Sequence, residues 1–307
     1  MNVVLATDGS GHSRLAEAVL AKVLDPSKTK VSAVSVSAPI VVGMGTIAGG
    51  GVAAVGGLTE LYDAVKVSAE RFAEEATERL RGKGFDAEAV VLEGDAADTL
   101  VEFVKRNDAH LVVIGSRGLG GFASFLLGSV ARKLVSRCPS TVLIARAFEG
   151  LSPEESIDAL DAKAELDAVV AIDGSDGSKV AVRWIQQRVS MPLAALHVVC
   201  AEPLGVIPAG IDPSAFAQVY EFDHDQAREL VAEAAEELAG RATSIDTYAE
   251  IGRPSTLIIR VAAETKSDLI AVGASRHGTL ERILVGSVSY EVATSAPCSV
   301  VVVRPES

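Results

Sequence analysis

Cysteine is scarce in this chain. Its 307 residues hold three, Cys138, Cys200 and Cys298, with no Cys-x-x-Cys pair. An odd count without paired spacing excludes a disulfide framework and fits buried thiols in a reducing, cytoplasmic setting. The Walker pattern G-x-x-x-x-G-K-[ST] is absent, which excludes a P-loop. Positive charge is in short supply: 28 Lys and Arg against 41 Asp and Glu leave a net charge of -13. That balance disfavours a nucleic-acid or anionic-membrane partner. His12, His110, His197 and His277 are scattered, with no Ser-His-Asp or Cys-His arrangement around them. Asp223-His224-Asp225 reads as the charged start of an acidic helix rather than a metal site. The one uncharged apolar stretch, residues 39–57, is glycine-rich and barely long enough to span a bilayer.

What is present is organised around residues 110–129. Leu111, Val112, Val113 and Ile114 form an apolar run closed by Gly115, the pattern of a buried parallel strand. A glycine-rich loop follows. Gly128 and Ser129 then open a segment whose apolar positions fall three to four apart, as on a helix. Strand, glycine loop and helix start together make an anion site, because glycine lets backbone approach a ligand and the first helical N–H groups are unpaired. Arg117, Arg132, Lys133, Arg137 and Arg146 fall in this region with no acid among them. The simplest reading is a phosphate cradle. A turn that uses glycine only for packing is the plain alternative. Gly118, Gly120 and Ala123 fit a dinucleotide fingerprint, but the acid which that fold needs about 20 residues on does not come before Glu149.

The chain as a whole alternates strands and helices, which implies a parallel sheet wound on both faces. The pattern then repeats. Gly115 and Gly273, like Gly128 and Gly286, are 158 residues apart, and the strand-end acids Asp8 and Asp173 are 165 apart. A period this long means two tandem domains. We expect them at residues 1–147 and 166–307, joined by a linker at 148–165. Ser152-Pro-Glu-Glu155 gives the linker a capping-box helix start.

The Asp8-Gly9-Ser10 turn, together with Gly115-x2-Gly118-x9-Gly128-Ser129, resembles the universal stress protein family, across nearly the whole chain and in two copies. The resemblance implies an α/β fold with two tandem open, mostly parallel five-stranded sheets and helices on both faces, a Rossmann-like arrangement. It implies adenine-nucleotide binding, as ATP with Mg2+ or as AMP or ADP, in a cytoplasmic stress-response regulator. It also implies that the last strand of each copy pairs the two domains. A further homodimer and an unidentified protein partner are compatible with it. Asp8 would hold ribose hydroxyls, with Ala6 and Thr7 lining that side and Val36 against the base. Gly115 and Gly118 would let backbone reach the phosphates, and Gly128 and Ser129 would bind them. The second copy offers Asp173, Val198, Gly273, Gly286 and Ser287, with Arg276 where the second glycine should stand. No general base or water-positioning residue is evident, so binding rather than catalysis is expected. An ATP-hydrolysing or adenylyl-transferring enzyme and a nucleotide-free scaffold are the competing readings. Residues 39–57 read as a loop near the nucleotide mouth, suited to a lid or a docking segment.

Overall fold

The structure, a computed structural model, describes residues 1–38, 53–118, 127–202, 213–274 and 285–305. The first half runs β1 (Asn2–Ala6), α1 (Gly11–Val23), β2 (Lys30–Ser37), α2 (Ala53–Gly82), β3 (Asp86–Glu93), α3 (Ala96–Arg106), β4 (Leu111–Gly115), α4 (Ser129–Arg137) and β5 (Thr141–Ala145). The linker helix α5 (Pro153–Asp161) leads to the second half. That half runs β6 (Leu166–Ile172), α6 (Asp176–Arg188), β7 (Leu193–Glu202), α7 (Pro213–Glu237), β8 (Ala242–Ile251), α8 (Pro254–Glu264), β9 (Leu269–Gly273), α9 (Ser287–Ser295) and β10 (Ser299–Val303).

The ten strands form one sheet in the order β3-β2-β1-β4-β5-β10-β9-β6-β7-β8. The two five-stranded sets are therefore continuous. Among the described pairings all are parallel but one. The exception joins the halves: β10 runs antiparallel to β5, with Val300 opposite Ile144 and Val302 opposite Val142. Every residue of β5 and β10 is buried. Two apolar edges that would invite foreign strands cover each other.

Each face of the sheet carries a helical layer. Leu15 and Leu20 of α1, Leu80 of α2, Trp184 of α6 and Val231 of α7 pack on one face. Leu100 of α3, Leu134 of α4, Val261 of α8 and Val292 of α9 pack on the other. The linker is an ordered strap. Ser152 Oγ accepts from Glu155 N at 3.1 Å while Glu155 Oε2 accepts from Ser152 N at 2.7 Å, a complete capping box. Lys163 just beyond α5 donates to both carboxylate oxygens of Asp268, at 2.6 and 2.7 Å.

Two local expectations differ. α2 begins at Ala53, within the stretch read as a loop; the alanines there favour helix enough to carry it over Gly56 and Gly57, each costing about 1 kcal/mol. Residues 39–52 lie outside the described residues. α7 begins at Pro213, a residue suited to a first helical position, so Asp223, His224 and Asp225 fall inside that helix rather than at its start. Residues 203–212 and 275–284, which include Arg276, His277 and Gly278, are also outside the described residues.

Candidate functional site

Chain reversal beside β1 creates the site. From β1 the sheet grows one way through β2 and β3, and the other way through β4 and β5. Open α/β sheets bind ligands at such a switch point, beyond the carboxyl ends of the strands. A cleft of about 400 Å3 lies there.

Its first wall is the turn after β1. Asp8 Oδ1 accepts from Ser10 N at 3.1 Å and from Ser10 Oγ at 2.6 Å. Ser10 in turn caps α1, accepting from Ser13 N at 3.2 Å. Gly9 between them has φ +77°, and a Cβ there would strike the Phe72 ring. Asp-Gly-Ser is thus one unit: the glycine makes the turn, the serine starts the helix, and both hold the carboxylate at the cleft.

The second wall is the glycine loop. Gly128 N donates to Ser116 O at 2.8 Å, closing the loop where it returns. Arg132 Nη2 holds Leu127 O at 2.8 Å. α4 then starts at Ser129, with Gly128 at the cap position and no side-chain cap hydrogen bond. α1, α3, α5 and α6 are each capped by a Ser or Asp side chain. The start of α4 keeps its N–H donors and its positive dipole end for something else. A third, apolar wall comes from Val34 and Val36 of β2 and from Ala96 and Leu100 of α3.

Ala6, Thr7, Asp8, Val36, Gly115, Gly118, Gly128 and Ser129 all line this single cleft. Two of the glycines do more than leave room for a ligand. A Cβ on Gly115 would lie 2.6 Å from His12 C and O, so this glycine admits the first turn of α1. A Cβ on Gly118 would meet Asp8 Oδ2, so this one makes space for the carboxylate.

The basic residues are largely committed elsewhere. Lys133 Nζ is 3.1 Å from Asp95 Oδ1, and Arg137 Nη1 is 3.2 Å from Asp98 Oδ1. Arg146 Nη2 donates to Ala293 O and Thr294 O, at 2.9 and 3.2 Å. Of the five cations counted in the sequence, Arg117 is the one among the cleft-lining residues. Sequence reasoning missed Ser13, Val34, Ala96, Leu100, Ile114, Ser116, Val130 and Ala131 in the lining. Arg117, inside the spaced-glycine motif, was already counted among the cations of the phosphate cradle. Ala96 and Leu100 carry no local signal, because only the packing of α3 beside β2 brings them in.

The second half repeats the frame with altered contents. Asp173 Oδ1 accepts from Ser175 N at 3.0 Å, and Ser175 caps α6. Gly273 ends β9 with its missing Cβ against the Gly177 backbone. Gly286 precedes α9, again without a side-chain cap, and Ser287 is its first residue. Val198 requires correction. Ala6 pairs with Val34 and Ala171 with Val199, so the counterpart of Val36 is Ala201. Val198 belongs to the opposite face, with Ala33. A one-residue slip in phase exchanges the faces of a strand. Ile172 stands for Thr7 and Ala274 for Ser116. The ion pair between α3 and α4 is inverted: where Asp95 meets Lys133, Arg253 Nη2 meets Glu291 Oε2 at 3.0 Å.

Known proteins share this construction. A universal stress protein of Mycolicibacterium smegmatis is 28% identical over 225 residues, 72% of this chain and 70% of that one. One from Mycobacterium tuberculosis is 29% identical over 214 residues, 67% of this chain and 65% of that one. The crystal structure of a universal stress protein from Archaeoglobus fulgidus matches 99% of this chain and 98% of that one, with a TM-score of 0.63 at 19% identity. The sequence profile of the universal stress protein family matches residues 1–146 and again residues 167–304. The chain therefore belongs to the universal stress protein family.

Proposed function

We propose that the first half binds an adenine nucleotide, ATP above all, and that the protein acts as a nucleotide-linked stress-response regulator. One observation carries the reading: a single cleft gathers a fixed carboxylate, an uncapped helix start and an apolar wall. The carboxylate of Asp8 suits ribose hydroxyls, which are donors. The α4 start suits phosphate. Val34, Val36 and Leu100 suit the face of a base. Pockets that hold ligands of this size run from about 300 to 1,000 Å3, and this cleft falls in that range. Among the described residues no three His, Cys, Asp or Glu side chains gather as metal ligands. Mg2+ would thus arrive on the phosphates and be held by phosphate oxygens and water.

The second half keeps the carboxylate and the helix start but has Arg276 in place of Gly118 and Glu291 in place of Lys133. We assign one nucleotide to each chain. Among the described residues no helix is long and apolar enough to cross a membrane.

Calorimetric titration with MgATP, ADP, AMP and MgGTP tests the assignment. The adenine nucleotides bind the wild type, and Asp8→Ala weakens them at least tenfold. Equal affinity in Asp8→Ala, or preference for the guanine nucleotide, overturns it.

A further inference from the structure

We propose that nucleotide binding in the first cleft takes up a proton on His12, so that affinity rises as the pH falls through the weakly acidic range. This rests on the nucleotide reading of that cleft.

His12 lies in the first turn of α1, at the boundary between the cleft and the linker. Its backbone and Cβ fill the space beside Gly115, a cleft-lining residue. Charged groups act on its imidazole from each neighbouring element: Asp8 from the turn after β1, Arg117 from the loop after β4, Arg146 from the end of β5, and Glu154 from α5. Asp8 and Glu154 favour the imidazolium, and Arg117 and Arg146 oppose it. Asp8 and Arg117 also line the cleft.

Without ligand, the proton is unwelcome. His12 Nδ1 is enclosed and has no hydrogen-bond partner among the described residues. A cationic ring would bury an N–H without an acceptor. It would also stand at a helix N-terminus, the end that repels cations. Burial, first, and Arg117, second, hold the imidazole below its ordinary pKa. A nucleotide's phosphates change this balance. They bring several negative charges to the side of the cleft that Arg117 and the α4 start define. The field favours the imidazolium, so the proton binds more tightly when nucleotide is present. By linkage, nucleotide then binds more tightly when the proton is present. The second half lacks the device, since Gly177 takes the place of His12 and Ser275 that of Arg117.

The test is calorimetric titration of the full chain with MgATP near pH 6, in two buffers of different ionisation enthalpy. Wild type is compared with His12→Gln and His12→Asn. The variant baseline removes the proton that ATP itself exchanges. Wild type takes up a larger fraction of a proton than either variant. Its affinity gains about three- to tenfold more between pH 7.5 and pH 5.5. NMR titration of the wild-type His12 ring, with and without nucleotide, reads the same linkage without a mutation, and the ring titrates higher when nucleotide is bound. Binding with equal proton uptake in wild type and variants, or a His12 titration unmoved by nucleotide, overturns this inference alone. Failure of wild type to bind nucleotide at any pH overturns the nucleotide reading and this inference with it.

Discussion

Arg146 and Arg304 cross the β5–β10 junction in opposite directions, each tying off a helix of the other half. Arg146 Nη2 donates to Ala293 O and Thr294 O at the end of α9. Arg304 donates to Val135 O at 2.5 Å and to Ser140 O at 3.0 Å, at the end of α4. Their backbone N–H groups follow the same symmetry: Arg146 N donates to Ser299 Oγ and Arg304 N to Thr141 Oγ1. Cations at helix C-termini complement the dipole, and these two also fill the carbonyl positions that no further helical turn would reach.

Replacing Arg304 by Met should therefore destabilise the chain by about 2–4 kcal/mol, because buried carbonyl oxygens lose their donors. The urea midpoint reads this directly. Arg304 is 2% exposed, so a midpoint unchanged by the substitution would mean that water replaces the guanidinium at no cost.

The two motif glycines should separate stability from binding. Gly115→Ala forces a Cβ into the backbone of α1 and should cost about 1–3 kcal/mol, the usual range for overpacking. Gly118→Ala meets only the carboxylate of Asp8, which can shift. Its stability should stay within about 1 kcal/mol of wild type while ATP affinity falls several-fold. Denaturation and nucleotide titration of both variants check the split. Equal effects of the two on both measurements would refute it.

Acid should weaken the ligand-free protein. Burial holds both His12 and His197 below the ordinary histidine value of 6.5, although Asp246 opposes this at His197. A depressed folded-state pKa means that the folded chain binds fewer protons. Its contribution is present above 6.5 and is lost as the pH falls through the folded-state values. His197 is 5% exposed, with Nδ1 3.4 Å from Asp246 Oδ2 and its ring edge-on to Tyr248. His197→Gln should flatten the fall in urea midpoint between pH 7 and pH 5. A variant that is as acid-sensitive as wild type would remove His197 from the account.

Much of the fold was legible because its signals are periodic. The apolar runs at β1, β4 and β9 are buried strands, and the constant spacing of Gly115 with Gly273 and of Gly128 with Gly286 marks the repeat. The capping box at Ser152 gave the linker helix before any tertiary contact was known. Signals failed where tertiary partners decide. Lys133 and Arg137 read as part of the phosphate cradle, but Asp95 at the cap of α3 and Asp98 within it hold them. Val198 was misplaced because pairing with β6 sets the phase of β7: Ala171 lies opposite Val199, which puts Ala201 level with Val36. The roles of Gly115 and Gly118 as space for His12 and Asp8 depend on approaches that no local pattern encodes.

The inverted ion pair yields a further prediction. Lys133→Glu alone sets two carboxylates together and places one on the phosphate-facing helix. Combined with Asp95→Arg it restores the pair in the sense that the second half uses. Exposed pairs contribute about 0–1 kcal/mol, so Lys133→Glu alone should change stability little, whereas the double variant should lose about 0.5–2 kcal/mol, because Asp95 also caps α3. ATP affinity should fall about five- to tenfold in both, since the charge on α4 itself is reversed. Recovery of affinity in the double variant would show that only the intact pair, and not the sign on α4, matters.

We assign one nucleotide to each chain, held in the first cleft. Protein purified without added nucleotide is saturated with MgATP, freed of excess and denatured, and the released nucleotide is counted per chain by mass spectrometry. Wild type is compared with Gly118→Arg, which copies into the first half the arginine that the second half's sequence carries as Arg276. The single-site assignment predicts about one ATP per wild-type chain and a loss in the variant. Two per wild-type chain, or one that survives Gly118→Arg, would contradict it.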